Sequence, residues 1–489
     1  MRKLGKMAFG SLVSVAAGCG GGHGGGGYGS SSSMPAPTVT ISQPVAAATV
    51  NFGQAVTVAW TSAYATACTA SASSAAAGAF TGSQMPSGTQ TVVPTAAGSY
   101  TYTLSCSGTG GTMSASASVT VTPNLLTALA PTGAITSVGS TIDPINGDLN
   151  PYGLVIAPAT AGLITKGDLV VCNFNDGPTN TQGNGTTIIG LHPGTGSTPY
   201  RIAQSADLQG CNALAMLPDD SISAAAWTSN LNPLVSAGGV VGTAFSGDTF
   251  AQPWGEAYVA AAGSQPAAIY VSNAPGGAIS AGGTIDRISL DIDAQTSLTE
   301  VVTGICSGGV AGAVFGPAGL TYDPASDTLY IVATSSNSVI AITGVSAVPK
   351  DGVVVNGQCS ASAAPPTAVP TFSGPSMASA KVIAHGAPFS TPLSAALLKN
   401  GDLVVGNADI GVTTASAMTN LLIEVSPVLP GGFVGSPLQI DTGTPGAIFG
   451  IAAAVDAQGN QIIYFNNDNN NAVMQLGPAA TTGGTPNPY

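Results

Sequence analysis

The chain has 489 residues, only 6% of them charged, with 66 glycines and with 22 Asp and Glu against 9 Lys and Arg. That length exceeds one ordinary core, so two or more domains, or a large repeat fold beside a small one, are expected. A net charge of -13 repels phosphate backbones and excludes nucleic acid as a partner, while abundant Gly, Ala, Ser and Thr suit an exported β-protein.

Arg2, Lys3 and Lys6, an apolar run over 7–17 and small residues before Cys19 make an export signal, and the run is too short to anchor the chain itself. Val15-Ala16-Ala17-Gly18-Cys19 resembles the lipobox of bacterial lipoproteins, with Ala16 where that motif prefers a large aliphatic residue. The resemblance implies removal of 1–18, acylation of Cys19 and attachment to the membrane through a lipid anchor. Gly20, where Asp would signal inner-membrane retention, points to the outer membrane or cell surface. Two or more acyl chains hold durably. Residues 19–36 read as a Gly/Ser tether, in which His23 is incidental. Six cysteines remain, an even number expected to pair as disulfides outside the cytoplasm. No Cys-x-x-Cys supports zinc, redox or haem chemistry.

Residues 37–122 carry period-two alternation in Val39/Ile41, Val56/Val58/Trp60, Tyr100/Tyr102/Leu104/Cys106 and Val119/Val121, the mark of short strands with one buried face. Gly, Ser and Pro turns between them predict a β-sandwich. The segments Trp60 to Ala70 and Tyr100 to Cys106 resemble bacterial immunoglobulin-like spacer domains, although Trp60 precedes its Cys, unlike the antibody order. A Cys68–Cys106 bridge would close a loop of about forty residues and contribute roughly 4 kcal/mol.

After a linker over 123–139, Gly167-Asp168-Leu169-Val170-Val171-Cys172-Asn173 returns as Gly401-Asp402-Leu403-Val404-Val405-Gly406-Asn407. Looser copies end at Asn273, Ala333 and Asn467, and a degenerate one covers Ser221 to Trp227, so six units repeat about every 59 residues. Each unit reads as strand, turn, strand, loop, strand. Antiparallel meanders repeated radially form a β-propeller, and the repeats over 140–480 resemble NHL-type six-bladed propellers, before a tail at 481–489. The fold class expected is thus all-β: a small immunoglobulin-like β-sandwich followed by a six-bladed β-propeller. The sixth unit lacks an outer strand, which residues near Ile135 to Ile142 are expected to supply, closing the ring and removing exposed edges.

Propeller topology places second-to-third loops and between-blade connections on one face. The long insertions at 174–184, 274–282, 408–419 and 345–389 are assigned there, making it the expected working surface. Cys172 and Cys211, and Cys306 and Cys359, are expected to staple its loops across neighbouring blades. His192 falls in a turn on the opposite face, and His385 is placed before an inner strand. Lactonase-like propellers hold a divalent metal with Glu, Asn and Asp, and Glu256, Asn212 and Asn150 are the nearest equivalents by position. Tyr152, Trp254, Phe449 and His385 complete the ligand-binding candidates. Asp291, Asp293 and the Asn466 to Asn471 run offer oxygen ligands for calcium but match no EF-hand loop, and such runs are more often turns. The strand-ending Asn173, Asn273, Asn407 and Asn467 are expected to close hydrogen bonds within blades.

The function expected is a monomeric, lipid-anchored surface protein whose propeller binds an extracellular protein or glycan without catalysis or cofactor; the alternative is a calcium-class hydrolase or lactonase. Palmitate analogues should label the protein in bacterial cells, whereas Cys19→Ser should lose the label and move to the soluble fraction. Equal labelling would remove the anchor from the account.

Overall fold

The computed structural model describes residues 34–478 and 487–488, apart from 46–47, 53, 131–134, 247–249, 291–296, 358, 360–367, 413–417 and 430. Cys19, Asp291 and Asp293 lie outside the described residues. In the first unit, Thr38–Gln43, Val56–Ala63 and Gly88–Val92 form one sheet, and Ala48–Asn51, Gly111–Thr122, Gly98–Gly108, Ala67–Ala72 and Gly82–Gln84 the other. Val56, Val58, Trp60, Tyr100, Tyr102, Leu104 and Cys106 are all buried between them, as alternation requires. Cys68 and Cys106 are bonded and directly opposite on neighbouring strands, Cα atoms 4.0 Å apart, so this bridge lies within one sheet.

The linker contains a short helix, Leu125–Leu129, and is fastened to the propeller. Leu126 and Leu129 are buried in the core of the last two blades. The Glu424 carboxylate accepts from Leu126 N (2.7 Å), Asn124 Nδ2 (2.9 Å) and Leu125 N (3.1 Å), satisfying free donors at the helix start.

Six sheets follow, each with a four-stranded meander at its base. Blade one is Leu149–Ile156, Leu169–Asn175, Thr187–Leu191 and Tyr200–Gln204; blade two is Cys211–Met216, Ile222–Ala226, Asn232–Val235 and Val241–Phe245. Blade three is Pro253–Val259, Ala267–Asn273, Gly277–Leu290 and Ser297–Val310; blade four is Pro317–Asp323, Thr328–Ala333, Ser338–Thr343 and Ala380–His385. Blade five is Pro392–Leu397, Leu403–Asn407, Leu421–Val425 and Phe433–Gln439. Blade six takes Ile448–Val455, Gln461–Asn467 and Ala472–Leu476 from the C-terminal region and its outer strand, Thr136–Ser140, from before blade one. The ring is therefore closed by strands from both ends of the repeat region.

A side-chain latch joins successive blades. Asn230, Asn337, Asn420 and Asn471 each stand just before a third strand with left-handed φ of 45–56°, a conformation Asn tolerates through local hydrogen bonding. Their Oδ1 atoms accept from the chain entering the next inner strand: Gln252 N (2.6 Å), Thr391 N (2.9 Å), Gly446 and Ala447 N (3.0 and 2.9 Å) and Asn150 N (2.8 Å). The strand-ending asparagines serve neighbouring backbone too: Asn407 Nδ2 donates to Pro388 O and Asn173 Nδ2 to Thr141 O, both at 3.0 Å.

Two expectations about these connections are corrected. Residues 345–389 do not join two blades: 344–379 are inserted between the third and fourth strands of blade four, leaving from the opposite face. There Val353–Asn356 runs parallel to the outer strand of blade three and enlarges its sheet, because that long edge is left unpaired above the meander. The stretch 274–282 is mostly strand, as Gly277–Leu290 and Ser297–Val310 pair along a long ribbon. His385 ends the outer strand of blade four and leads, through the between-blade connection, to the inner strand Pro392–Leu397, as expected.

Cysteines 172 and 211, and 306 and 359, are bonded. The first pair does not staple loops: both residues are fully buried, joining the second strand of blade one to the first of blade two. At the matching place between blades five and six, Gly406 leaves room for Ile448, whose Cγ2 would lie 2.7 Å from an added Cβ. The disulfide thus fills a gap that an isoleucine fills elsewhere. Cys306 lies in the outer strand of blade three and Cys359 in the blade-four insertion, so this bridge holds the insertion to the neighbouring blade. Three disulfides mark a protein of an extracellular or periplasmic compartment.

Asn420→Ala, which strands two backbone N–H groups, should cost about 3 kcal/mol in urea unfolding. Asn420→Gly, which relieves only left-handed strain, should recover no more than about 1 kcal/mol of that. Full recovery in the glycine variant would reduce the latch to a conformational preference.

Candidate functional site

The inner strands share one grammar. Pro151-Tyr152-Gly153, Pro253-Trp254-Gly255, Pro317-Ala318-Gly319 and Pro392-Leu393-Ser394 open four of them, with Cys211-Asn212-Ala213 and Ile448-Phe449-Gly450 in the other two. All six carry a register shift at this point, a β-bulge that bends the strand. The third residue is small because the strands converge: a Cβ on Gly255 would lie 2.0 Å from Ala318 O, and one on Gly450 2.3 Å from Tyr152 O.

The strands enclose a central channel of about 470 Å³. Its wall is mainly aliphatic, from Leu154, Ile156, Leu214, Met216, Leu320, Leu397 and Ile451. One end is closed. Tyr152, Trp254, Ala318, Leu393 and Phe449 meet there with Phe174, Trp227 and Ala408 in one cluster drawing on all six blades, which places it on the channel axis. Phe449 and Phe174 stack on Tyr152 with centroids 3.8 and 4.2 Å away, and Tyr152, Trp254 and Leu393 are 2–5% exposed. This plug lies on the face with the insertions. Towards the opposite face Met216, Tyr258, Tyr322, Leu397 and Ala453 are only half-buried, and the channel opens there. The backbone of Asn487–Pro488 pairs with Ala454 and Val455 at the rim. The channel therefore opens away from the expected working surface.

Glu256 occupies the inner-strand position held elsewhere by Leu154, Leu214, Leu320, Ala395 and Ile451. Its Oε1 accepts from Ser223 Oγ (2.9 Å), which in turn accepts from Asn232 Nδ2 (2.6 Å), and Oε2 is buried without a bond. Burial pushes this carboxyl up to about 8, so it is neutral at pH 7. Asn212 Nδ2 donates to Pro253 O (3.4 Å). Asn150, on the closed side, lies against the Asp468 carboxylate and the Asn175 amide, and its amide satisfies both when turned so that the nitrogen donates to Asp468 (2.7 Å) and the oxygen accepts from Asn175 Nδ2 (3.1 Å). Asn150, Asn212 and Glu256 are thus engaged with three separate sets of partners. Among the described residues, no three His, Cys, Asp or Glu side chains are grouped as metal ligands would be.

Asp468 belongs to the asparagine-rich run, and burial pushes it up to about 6. The neighbouring amides are structural: Asn466 bonds Tyr152 O (3.0 Å), Asn467 and Asn469 bond Asp441 (2.7 and 2.9 Å), and Asn471 is a latch. His385 Nδ1 is buried without a bond, away from the channel. On the open face, exposed His192 places Nδ1 2.6 Å from buried Asp168, which also accepts from Tyr200 Oη (2.6 Å). Sequence reading missed the Pro-x-small signature and the latch asparagines, although both recur visibly.

No known protein family and no curated protein matches the chain. Among solved structures it is similar to a catalytically inactive virginiamycin B lyase from Staphylococcus aureus with quinupristin, at 14% identity over 73% of this chain and 88% of that one, TM-score 0.39. It is similar also to a luciferin-regenerating enzyme (10%, 72% and 97%, 0.43) and a gluconolactonase from Xanthomonas campestris (12%, 71% and 97%, 0.40). The count and connectivity of the six sheets establish the propeller.

The raised Glu256 carboxyl sets a direction for stability. Below the ordinary glutamate range both states hold the proton; as pH rises towards 8 the unfolded chain releases it while the folded one retains it, so stability falls. Asp402, pushed up by burial and by the neighbouring Glu424 carboxylate, and Asp468 act in the same sense. Melting temperatures should drop from pH 5 to 8, and Glu256→Gln should flatten the upper part of that drop. An unchanged slope in the variant would show that Glu256 is ionised in the fold.

Proposed function

We propose that this is an exported, lipid-anchored binding protein whose propeller receives a small, mainly apolar molecule in its central channel. The channel carries the reading: its volume falls in the range of ligand pockets, it is lined mainly by apolar side chains, and one end is closed. The tether and the sandwich would hold this propeller off the membrane. Non-enzymatic binding is preferred to the calcium-dependent hydrolase because Asn150, Asn212 and Glu256 bond to separate partners.

A second reading, capture of an extracellular protein or glycan on the insertion face, is favoured by exposed Ile142, Ile145, Val310 and Met418. The two separate cleanly. N-phenyl-1-naphthylamine, an uncharged fluorescent dye, should bind saturably at one site per chain. Met216→Trp at the open mouth should weaken it about tenfold, a loss of about 1.4 kcal/mol, and Ile145→Asp should leave it unchanged. Saturable binding lost only in Ile145→Asp would move the function to the insertion face.

A further inference from the structure

Each inner strand pairs outward with the second strand of its own blade, so its other edge faces the channel. Among the described residues only one of these six edges is covered. Asn487–Pro488 pairs antiparallel with Ile448–Val455 on the side away from Gln461–Asn467, and therefore inside the ring. The register, Asn487 opposite Val455 and Pro488 opposite Ala454, directs this short strand from the open rim inward. The next position on the inner strand, Ala453, lines the channel and is half-buried, as is Leu397 on neighbouring blade five. The contact is slight. Pro486-Asn487-Pro488 brackets one backbone donor with two residues that have none, which keeps the pairing from growing into a permanent fifth strand. Contacts held by so few hydrogen bonds open locally at little cost. The packed residues Ile448, Ile451, Ile463, Phe465 and Leu476 belong to the meander itself, so blade six keeps its core when the short strand leaves.

Taking the channel to be the receiving site, we infer that Asn487–Pro488 is a strap by which the protein occupies its own channel mouth, and that it lifts from the inner strand of blade six before an apolar molecule enters. The channel edge of blade six is thus a docking site whose occupant is this chain. Binding is coupled to release of the strap, because the strapped and open forms differ in access to the channel. A mouth strapped in about nine molecules of ten lowers the apparent affinity about tenfold, and does so through association, since the bound form no longer carries the strap.

N-phenyl-1-naphthylamine binding should be followed by stopped-flow and equilibrium fluorescence in the full chain, in a chain ending at Pro478, and in full-length Asn487→Pro, which removes the remaining backbone donor of the strap. The shortened chain should bind the dye about tenfold more tightly. Its gain should lie in the association rate, with dissociation unchanged, and Asn487→Pro should move the same way while thermal melts show a folded chain. Equal or weaker binding in both variants, or a gain confined to dissociation, would overturn the strap. If Met216→Trp still weakens the dye in each of these chains, the channel reading stands even so. Dye binding that is not saturable, or is indifferent to Met216→Trp in every chain, would overturn the channel reading itself.

Discussion

Left-handed asparagines that accept from the first backbone N–H groups of the next blade are the interaction on which the rest of the propeller depends. Each inner strand starts from a between-blade connection, whose backbone donors have no sheet partner there and cannot be buried unpaired. Asn230, Asn337, Asn420 and Asn471 supply partners and so fix where four of the six inner strands begin. With the starts fixed, the bulges fall at one level in all six strands. The small residues can then meet at van der Waals distance.

The channel follows from that registration. Residues just before the bulge turn to the axis on the insertion face, and because several are aromatic they close it. Those beyond the bulge are aliphatic and leave it open. A buried Glu256 in the aliphatic ring is tolerated because Ser223 meets it and because it stays protonated. The Cys172–Cys211 bond and the Gly406 with Ile448 pairing show that inter-blade gaps accept different chemistry when the volume is kept.

Much of this was legible beforehand. Near-identity of Gly167 to Asn173 with Gly401 to Asn407 exposed the repeat, since both glycines begin a second strand from left-handed turns, with φ of 89° and 84°. The missing outer strand of blade six told where closure had to come from. What stayed hidden was whatever depends on packing between blades. The insertion 344–379 looks like any long connection until its Val353–Asn356 pairs with blade three. The plug could not be seen because Tyr152, Trp254, Leu393 and Phe449 are far apart in sequence and meet only when the ring closes. Tyr152, Trp254, Phe449, Asn212 and Glu256 were singled out one by one, yet the first three fill the closed end and the last two sit in the wall.

The central claim is that the channel, closed on the insertion face, receives a small, mainly apolar molecule from the other side. A crystal soaked with 8-bromooctanamide and measured at the bromine absorption edge tests it most directly. An anomalous peak within the channel, among Met216, Tyr322 and Leu397, is the result expected. A peak on the insertion face beside Ile145 or Val310, with the channel left unfilled, would contradict it.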